Sequence, residues 1–404
     1  MNFEFLFSNL PELTITGLAL GAIYALVALG YTMVYGVLQL INFAHSEVFM
    51  YGGFAAVWTL YAFGASPASS TGAIVAFMAV ALVVAMLVSG SVALLLERFA
   101  YRPLIERGSP KLVVLISAIG ASFVLSEAMG LRNLLVQKLP GIVVAILVGL
   151  VFAAIIVLVI AGGSRVVAME GAEPRRFKLG EVPRFLPLLV GIGLAFLVCG
   201  QLGLSGSANE AVDLYDPLKE YLSRARESAA LPINVNPEVV FHIFNYGVTT
   251  IDILLIGSAL LMMIVLDQFI RRSRTGRGIR AVAQDPEAAA LMGVNRNRVV
   301  QITFLIGGLM AGIAALLYIT KIGSIRFNDG FLLGVKAFTA AVMGGIGNLR
   351  GALLGGLVLG VAENWGSALF GSDWKDVVAF VLLILILLFR PTGLLGEALG
   401  KARA

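Results

Sequence analysis

The chain has 404 residues, of which 59% are hydrophobic and 13% are charged. This composition excludes a typical soluble domain, and several continuous apolar runs reach the roughly 20 residues that a helix needs to cross a bilayer. One cysteine and two histidines argue against a disulfide framework, a haem and a metal centre built from several histidines. The net charge of +5 is explained by basic loops beside a lipid bilayer, so no nucleic-acid partner is expected.

The apolar runs predict an all-α fold, a polytopic transmembrane bundle of about eleven segments with a range of roughly nine to eleven. In chain order the predicted segments are 13–37, 48–63, 72–96, 112–131, 140–161, 185–204, 248–266, 299–319, 335–346, 351–369 and 377–389. The runs 48–63, 335–346 and 377–389 are short for a full crossing. Short segments interrupted by glycine are typical of broken helices around a transport pathway.

Arginine and lysine set the expected orientation. They are concentrated in the loops 98–111 and 271–298 and in the tail 390–403, which places these three regions in the cytoplasm. The N-terminus is then outside and the C-terminus inside. The basic stretch 165–184 is expected on the cytoplasmic side, and the polar, acidic stretch 205–246 on the outer side.

The charged stretch 277–293 predicts a short helix between two spans. Asp285 is suited to cap the N-terminus, Pro286 to the first helical position and Glu287 to the positive end of the helix dipole. Gly293 is suited to end the helix. About two turns are too short to be stable alone in water. The stretch is therefore either a projection that fits into a partner or an ordinary cytoplasmic loop.

Asn42, His45 and Glu47 place polar groups between the first two apolar runs. Such groups are costly in lipid and usually face a cavity or the bundle interior. One interpretation places them at the inner part of a pathway or gives them the role of holding a broken helix in shape. The other is a hydrogen-bonded loop near the cytoplasmic surface, which we favour for His45 because one histidine makes no proton relay.

Four positions in the N-terminal half recur in the C-terminal half at a constant spacing. The matched pairs are Ile41 and Ile325, Phe43 and Phe327, Phe54 and Phe338, and Ala56 and Ala340. Since the expected topology sends these segments in opposite directions, they form a possible inverted repeat, which commonly brackets a transport pathway. Asn328 and Lys336 then lie near its outer mouth, where Lys336 either lines the pathway or snorkels to the membrane surface.

Several ordered motifs together resemble the permease subunits of branched-chain amino-acid ABC importers. They occupy residues 21–26, 29–36, 40–45, 97–104, 277–293, 335–347 and 390–394. The resemblance covers 13–132, the N-terminal half of a permease core, and 236–396, its C-terminal half. Residues 133–235 depart from the family as an insert with two extra spans and an acidic external loop, expected to be a peripheral addition.

The resemblance implies that residues 283–293 form a coupling helix seated in a groove of an ATP-binding subunit. Asp285, Pro286 and Gly293 would define that helix, while Arg280 and Glu287 would make polar contacts. The implied partners are two ATPase subunits, a second homologous or identical permease and an extracytoplasmic solute-binding protein, all at a bacterial inner membrane. The chain lacks the GxxxxGK[ST] pattern, so ATP is expected on the partners and no cofactor or metal on this chain.

Three alternatives remain at this point. A permease for urea, amides or other amino acids would share the motifs, because the binding protein usually selects the solute. An ion-coupled secondary transporter would need a carboxylate or histidine deep in the bundle, whereas Asp252, Asp267 and Glu363 fall near predicted span ends. A membrane scaffold without transport activity would not need the capped cytoplasmic helix.

Overall fold

The computed structural model describes residues 3–130, 228–233, 235, 237–244, 246–390 and 392–396. The predicted spans 140–161 and 185–204, the basic stretch 165–184 and most of the predicted insert lie outside these residues. The described residues form a bundle of α-helices with two small two-stranded sheets. The predicted all-α membrane bundle is confirmed.

The described elements follow one another along the chain with short connections. They are α1 Phe3–Ser8, α2 Leu10–Leu38, α3 His45–Ala62, α4 Thr71–Leu96, a π-helix Glu97–Tyr101, α5 Arg102–Glu106, α6 Lys111–Gly130, β1 Ala229–Ala230, β2 Val239–Ile243, β3 Tyr246–Thr249, α7 Thr250–Arg272, α8 Arg274–Gln284, α9 Pro286–Leu291, α10 Arg296–Ile322, β4 Ser324–Ile325, α11 Asp329–Gly344, α12 Leu349–Phe370, a 3-10 helix Ser372–Trp374 and α13 Lys375–Phe389. Each predicted span that falls on described residues is a helix.

Six of the described helices are long and apolar enough to cross a membrane. They are Leu10–Leu38, Thr71–Glu106, Lys111–Gly130, Thr250–Arg272, Arg296–Ile322 and Leu349–Phe370. The apolar windows of α2 and α10 are each 67% buried, whereas that of the span containing α4 is 11% buried. Because α4 still carries apolar residues such as Val83 on its exposed surface, α2 and α10 form the centre of the bundle and α4 faces lipid.

The two short helices α3 and α11 begin earlier than predicted. Their first residues are His45 and Asp329, whereas the apolar runs begin at 48 and 335. A Cβ placed on Gly334 would collide with Ser46, so the first turn of α3 lies against the glycines of α11. Polar and glycine residues therefore start these helices because close packing, and not local hydrophobicity, sets their ends.

The structure contains an internal repeat. Leu38 ends α2 and Ile322 ends α10, while His45 begins α3 and Asp329 begins α11. Both pairs are separated by the same 284 positions, 322 minus 38 and 329 minus 45. In each half a third helix follows, α4 or α12, and a short helix precedes, α1 or α9. Contacts correspond as well, since α2 packs on α12 and α11 as α10 packs on α4 and α3.

The two copies run in opposite directions. Gly30 of α2 meets Gly307 of α10, where an added Cβ would lie 3.2 Å from the Gly307 carbonyl oxygen. Towards the start of α2, Leu20 lines the same cavity as Ile322 at the end of α10. The central helices are therefore antiparallel, and the repeat is inverted as predicted.

Residues at the predicted outer end form strands in addition to a loop. The strands β2 and β3 pair as an antiparallel hairpin ahead of α7, and Tyr246 of β3 donates a hydrogen bond to Asp252 Oδ2 at 3.1 Å. Burial, and then the neighbouring Asp252, raises the pKa of Tyr246 to about 12. The phenol therefore stays protonated as a donor at neutral pH. On its other side, Asp252 pairs with Lys321 at 2.6 Å.

The predicted insert ends too late in the chain. Strand β1 at Ala229–Ala230 pairs with β4 at Ser324–Ile325. The Leu231 amide donates to the Gly323 carbonyl at 2.8 Å, and the side chain of Ile233 is buried. Residues 228–235 that the structure describes thus belong to the core, although the sequence comparison with the family motifs placed them outside it.

Candidate functional site

The stretch between α7 and α10 forms two helices separated by one extended residue. Asp285 has φ −150° and ψ 103°, and its Oδ1 accepts hydrogen bonds from the amides of Glu287 at 2.9 Å and Ala288 at 3.0 Å. The following Pro286 lacks an amide hydrogen and pushes the preceding residue towards an extended conformation. The helix therefore starts at Pro286, and residues 283 and 284 of the predicted range end the preceding helix α8.

The end of α9 also follows its predicted chemistry. Gly293 has φ +85°, a conformation that glycine adopts at little cost. The Val294 amide donates to the Ala289 carbonyl at 2.9 Å, which closes the end of the helix. Leu291 and Met292 are 88% and 85% exposed. The tip of this fixed short helix thus presents apolar side chains to its surroundings.

Arg280 and Glu287 are exposed on α8 and α9. The segment lies at the end of the bundle that also contains the loop after α5. There the Asn297 amide group donates to Glu106 Oε1 at 2.9 Å, and Arg350 pairs with Asp267 at 3.1 Å. This end collects the basic residues used above to assign the cytoplasmic side.

Asn42, His45 and Glu47 are all buried, with 2% or less of each residue exposed. Tyr101 Oη donates to Asn42 Oδ1 at 2.6 Å, and Ser122 Oγ donates to Glu47 Oε1 at 3.1 Å. The loop interpretation of His45 is wrong, because His45 is the first residue of α3. Hydrogen bonds from neighbouring helices satisfy the polar groups of Asn42 and Glu47, so the chain breaks between α2 and α3 without exposing them.

The His45 ring lies in the tight crossing of the central helices. Its centroid is 4.9 Å from that of Tyr31, in an edge-to-face arrangement. A Cβ placed on Gly30 would overlap the same imidazole. His45 therefore fills space beside α2, and the close approach requires glycine at position 30.

Lys336 is the centre of a buried ionic cluster. Its Nζ lies 3.0 Å from Glu363 Oε1 and 2.6 Å from Asp376 Oδ1. The second oxygen of Glu363 accepts a hydrogen bond from Tyr24 Oη at 2.7 Å. Glu363 is fully buried, the Lys336 side chain is 11% exposed, and the Asp376 side chain is 48% exposed. The cluster joins α2, α11, α12 and α13.

Two sequence interpretations are corrected by this cluster. Lys336 does not snorkel to the surface, because its ammonium group is held between two carboxylates inside the protein. Glu363 does not lie at the margin of the bundle, although the hydropathy profile placed it near the end of a span. Its position on α12 faces Tyr24, and only the packing of the helices reveals that neighbour.

A cavity of about 200 Å³ opens beside the cluster and is called the outer cavity here. Its polar lining comes from Tyr24, Tyr318, Asp329, Lys336, Lys375 and Asp376. Leu20, Ile23 and Leu332 contribute to its apolar wall. Asn328, predicted near the mouth, is exposed at the start of α11 and does not line the cavity.

A second, much smaller pocket lies further along the same pair of helices. Tyr31 and Tyr35 of α2 line it together with Phe338 and Ala341 of α11. The face between α2 and α11 therefore carries both cavities, in the order expected for a path from one membrane side to the other. Sequence reasoning missed this face, although Tyr24, Tyr31 and Tyr35 recur at spacings that bring side chains to one face of a helix.

The family model described as the permease component of a branched-chain amino acid transport system matches residues 13–125 and 109–387. The chain is 36% identical over 383 residues to the high-affinity branched-chain amino acid transport system permease protein BraD of Pseudomonas aeruginosa, covering 95% of this chain and 94% of that protein. It is 34% identical over 381 residues to the corresponding LivH of Escherichia coli K12, covering 94% of each chain.

A more distant relative is the fructose import permease protein FrcC of Rhizobium meliloti. The identity is 30% over 207 residues, covering 49% of this chain and 53% of that protein. No solved structure matches the chain. Within the described residues, no group of three or more histidine, cysteine, aspartate or glutamate side chains could hold a metal ion. The match over nearly the whole length establishes that the chain belongs to the branched-chain amino acid transport permease family and is a membrane-embedded transport subunit of an ABC importer, not an enzyme.

Proposed function

We propose that this chain forms one half of the translocation pathway of an ATP-driven importer for branched-chain amino acids. The observation that supports this solute is the outer cavity, where charged groups of both signs stand beside an aliphatic wall. Urea and simple amides carry no net charges and would not need such an environment. The curated relatives matched over nearly the full length are named for the same solutes.

The pathway is proposed to follow the face between α2 and α11. Lys336 then contacts the solute in the outer half, with Asn328 at the rim. Asn42, His45 and Glu47 serve the inner half indirectly, since their hydrogen bonds and packing hold α3 against α11. An ion-coupled transporter could also use a buried group such as Glu363, but ATP as the energy source agrees with the family.

Coupling to ATP hydrolysis is proposed to pass through residues 283–293. The exposed Leu291 and Met292 would enter a groove of an ATPase subunit, with Arg280 and Glu287 at its rim. The Val294 amide anchors this helix to the segment that leads into α10. Because α10 is a central helix of the bundle, a displacement of the short helix would reach both cavities.

Replacing Asp285 and Pro286 with glycine tests this assignment. Loss of the cap and of the fixed proline backbone should loosen the short helix, so uptake should fall by more than about tenfold while ATP hydrolysis by the complex persists. A matched control is Ser70→Gly, which removes the cap at the start of α4. Coupled uptake at the wild-type rate in the double variant would refute the assignment.

The proposed assembly contains two ATPase subunits, a second permease and an external solute-binding protein in a bacterial inner membrane. ATP is bound by the ATPase subunits, and this chain carries no cofactor. Purification from the native membrane in a gentle detergent should recover the ATPase subunits with this chain. A chain that purifies alone and moves solute under an ion gradient would favour the ion-coupled alternative.

The insert is proposed to be peripheral, with two crossings that leave the orientation of the core unchanged. Because β1 belongs to the core, the deletion that tests this should remove 133–227 and not 133–235. Reporter fusions should then still place the N-terminus outside and the C-terminus inside. A reversed C-terminus in the deletion variant would contradict the proposed topology.

A further inference from the structure

The ionic cluster at Lys336 is unusual for a purely structural ion pair. Buried charges are normally neutralised one to one, because each unpaired charge is costly. Here one ammonium group is shared by Glu363, which is fully buried, and by Asp376, which is half exposed. If Asp376 turned away, Lys336 would still be neutralised by Glu363. Asp376 can therefore exchange its partner without leaving a buried charge alone.

The outer cavity adds a second cation to this arrangement. Lys375 lines it next to Asp376 in the first turn of α13, and Asp329 lines it from the first turn of α11. The cavity thus offers two ammonium groups and two accessible carboxylates around one space. A neutral solute with separate positive and negative groups matches that charge pattern, whereas an anion or a cation alone would match half of it.

The size and the apolar wall narrow the class of ligand further. About 200 Å³ is below the roughly 300–1,000 Å³ of pockets for drug-sized ligands. Leu20, Ile23 and Leu332 form a hydrophobic surface beside the charged groups. Burial of a short aliphatic side chain there would be favourable in proportion to the apolar area removed from water.

We infer that the outer cavity is a binding subsite for the free amino acid inside the permease itself. Asp376 and Asp329 bind the ammonium group, Lys336 and Lys375 bind the carboxylate, and Leu20 and Leu332 contact the aliphatic side chain. Binding exchanges the internal pair between Lys336 and Asp376 for pairs with the solute, while Glu363 keeps Lys336 in place. This inference rests on the proposed function, which concerns the same pathway but requires no site in this chain.

The test uses the complete permease–ATPase complex in nanodiscs without the binding protein. The measurement is equilibrium binding of radiolabelled L-leucine, with 4-methylpentanoate and 3-methylbutylamine as competitors that lack the ammonium and carboxylate groups. Both competitors should bind at least about tenfold more weakly than leucine. Asp376→Asn should weaken leucine binding about tenfold, the change expected when a charge-assisted hydrogen bond is lost.

Selectivity separates a binding role from a structural one. Asp376→Asn should reduce the preference for leucine over 4-methylpentanoate, and Lys375→Gln should reduce the preference over 3-methylbutylamine. The matched control Asp373→Asn removes an exposed carboxylate from the neighbouring 3-10 helix and should leave both preferences unchanged. Should Asp376→Asn fail to assemble with the ATPase subunits, Lys375→Gln carries the test.

Absence of saturable leucine binding to the wild-type complex, or wild-type affinity and selectivity in both variants, would overturn the subsite. ATP-dependent leucine uptake by the wild-type complex with its binding protein is measured in parallel. Uptake with unaltered variant binding would reject the subsite and leave the proposed function standing. Absence of uptake of any branched-chain amino acid would reject the proposed function.

Discussion

The two inverted repeats share an arrangement of helices but satisfy their buried polar groups in different ways. In the first repeat, Asn42 and Glu47 accept hydrogen bonds from the hydroxyl groups of Tyr101 and Ser122. In the second, Lys336 is held by two carboxylates beside an open cavity. The first set of contacts fixes helices to one another, while the second leaves charged groups accessible to a solute.

The difference shows how an inverted repeat can become functionally asymmetric without losing its packing. Both copies keep a short helix after a break and close contacts mediated by glycine. Packing contacts need small residues at the crossing points and leave other positions free to change. Solute chemistry is therefore concentrated in the second repeat, and the first repeat supports it.

The largest expected effect separates the two polar clusters. Lys336→Met leaves Glu363 buried without a counter-charge and should destabilise the protein by about 3–5 kcal/mol. Glu47→Gln keeps an acceptor for Ser122 and should cost no more than about 1 kcal/mol. Thermal unfolding of the detergent-solubilised protein measures both. Adding Glu363→Leu to Lys336→Met should restore most of the stability, and equal losses in the two single variants would remove the distinction.

Glycine substitutions test what the repeats have in common. A Cβ on Gly21 would lie 2.8 Å from Leu357 Cα between α2 and α12, and a Cβ on Gly312 would lie 2.7 Å from Met86 Cα between α10 and α4. Valine at either position should cost about 1–3 kcal/mol, because the backbone of a neighbouring helix must move.

The control for this pair is Gly257→Val on α7, where an added Cβ meets no atom within 4 Å. Thermal unfolding should show similar losses for Gly21→Val and Gly312→Val and little change for Gly257→Val. A loss in only one of the two repeats would contradict their equivalent packing.

The smallest expected effect concerns the π-helix beside the first repeat. Tyr101→Phe removes the donor to Asn42 and should destabilise the protein by about 1 kcal/mol, since one buried hydrogen bond is lost. Uptake should fall in proportion to the amount of folded protein if this contact only supports α3. A larger loss of uptake per folded molecule would assign Tyr101 a direct part in transport.

Local chemistry made the helices and the cap of α9 predictable. Long apolar runs determine where a chain can cross a bilayer, and Asp285, Pro286 and Gly293 act on atoms within a few residues of themselves. Four matched positions were also sufficient to predict the inverted repeat. Each of these features depends on information that is close together in the sequence or repeated in it.

The ionic cluster and the early starts of α3 and α11 could not be predicted in this way. Lys336, Glu363 and Asp376 stand on three helices, and their distances follow from packing through glycine and not from spacing. The strand pairing of Ala229–Ala230 with Ser324–Ile325 joins distant parts of the chain for the same reason. Hydropathy reports the average polarity of a segment and does not identify the partner of a buried charge.

Uptake of radiolabelled leucine into proteoliposomes tests the central conclusion most directly. The vesicles contain the purified complex of this chain with its ATPase subunits and are supplied with the binding protein. We expect uptake that requires ATP and is unaffected by dissipating proton and sodium gradients. Uptake that continues without ATP and collapses with an ion gradient would contradict the conclusion that this permease is driven by ATP hydrolysis.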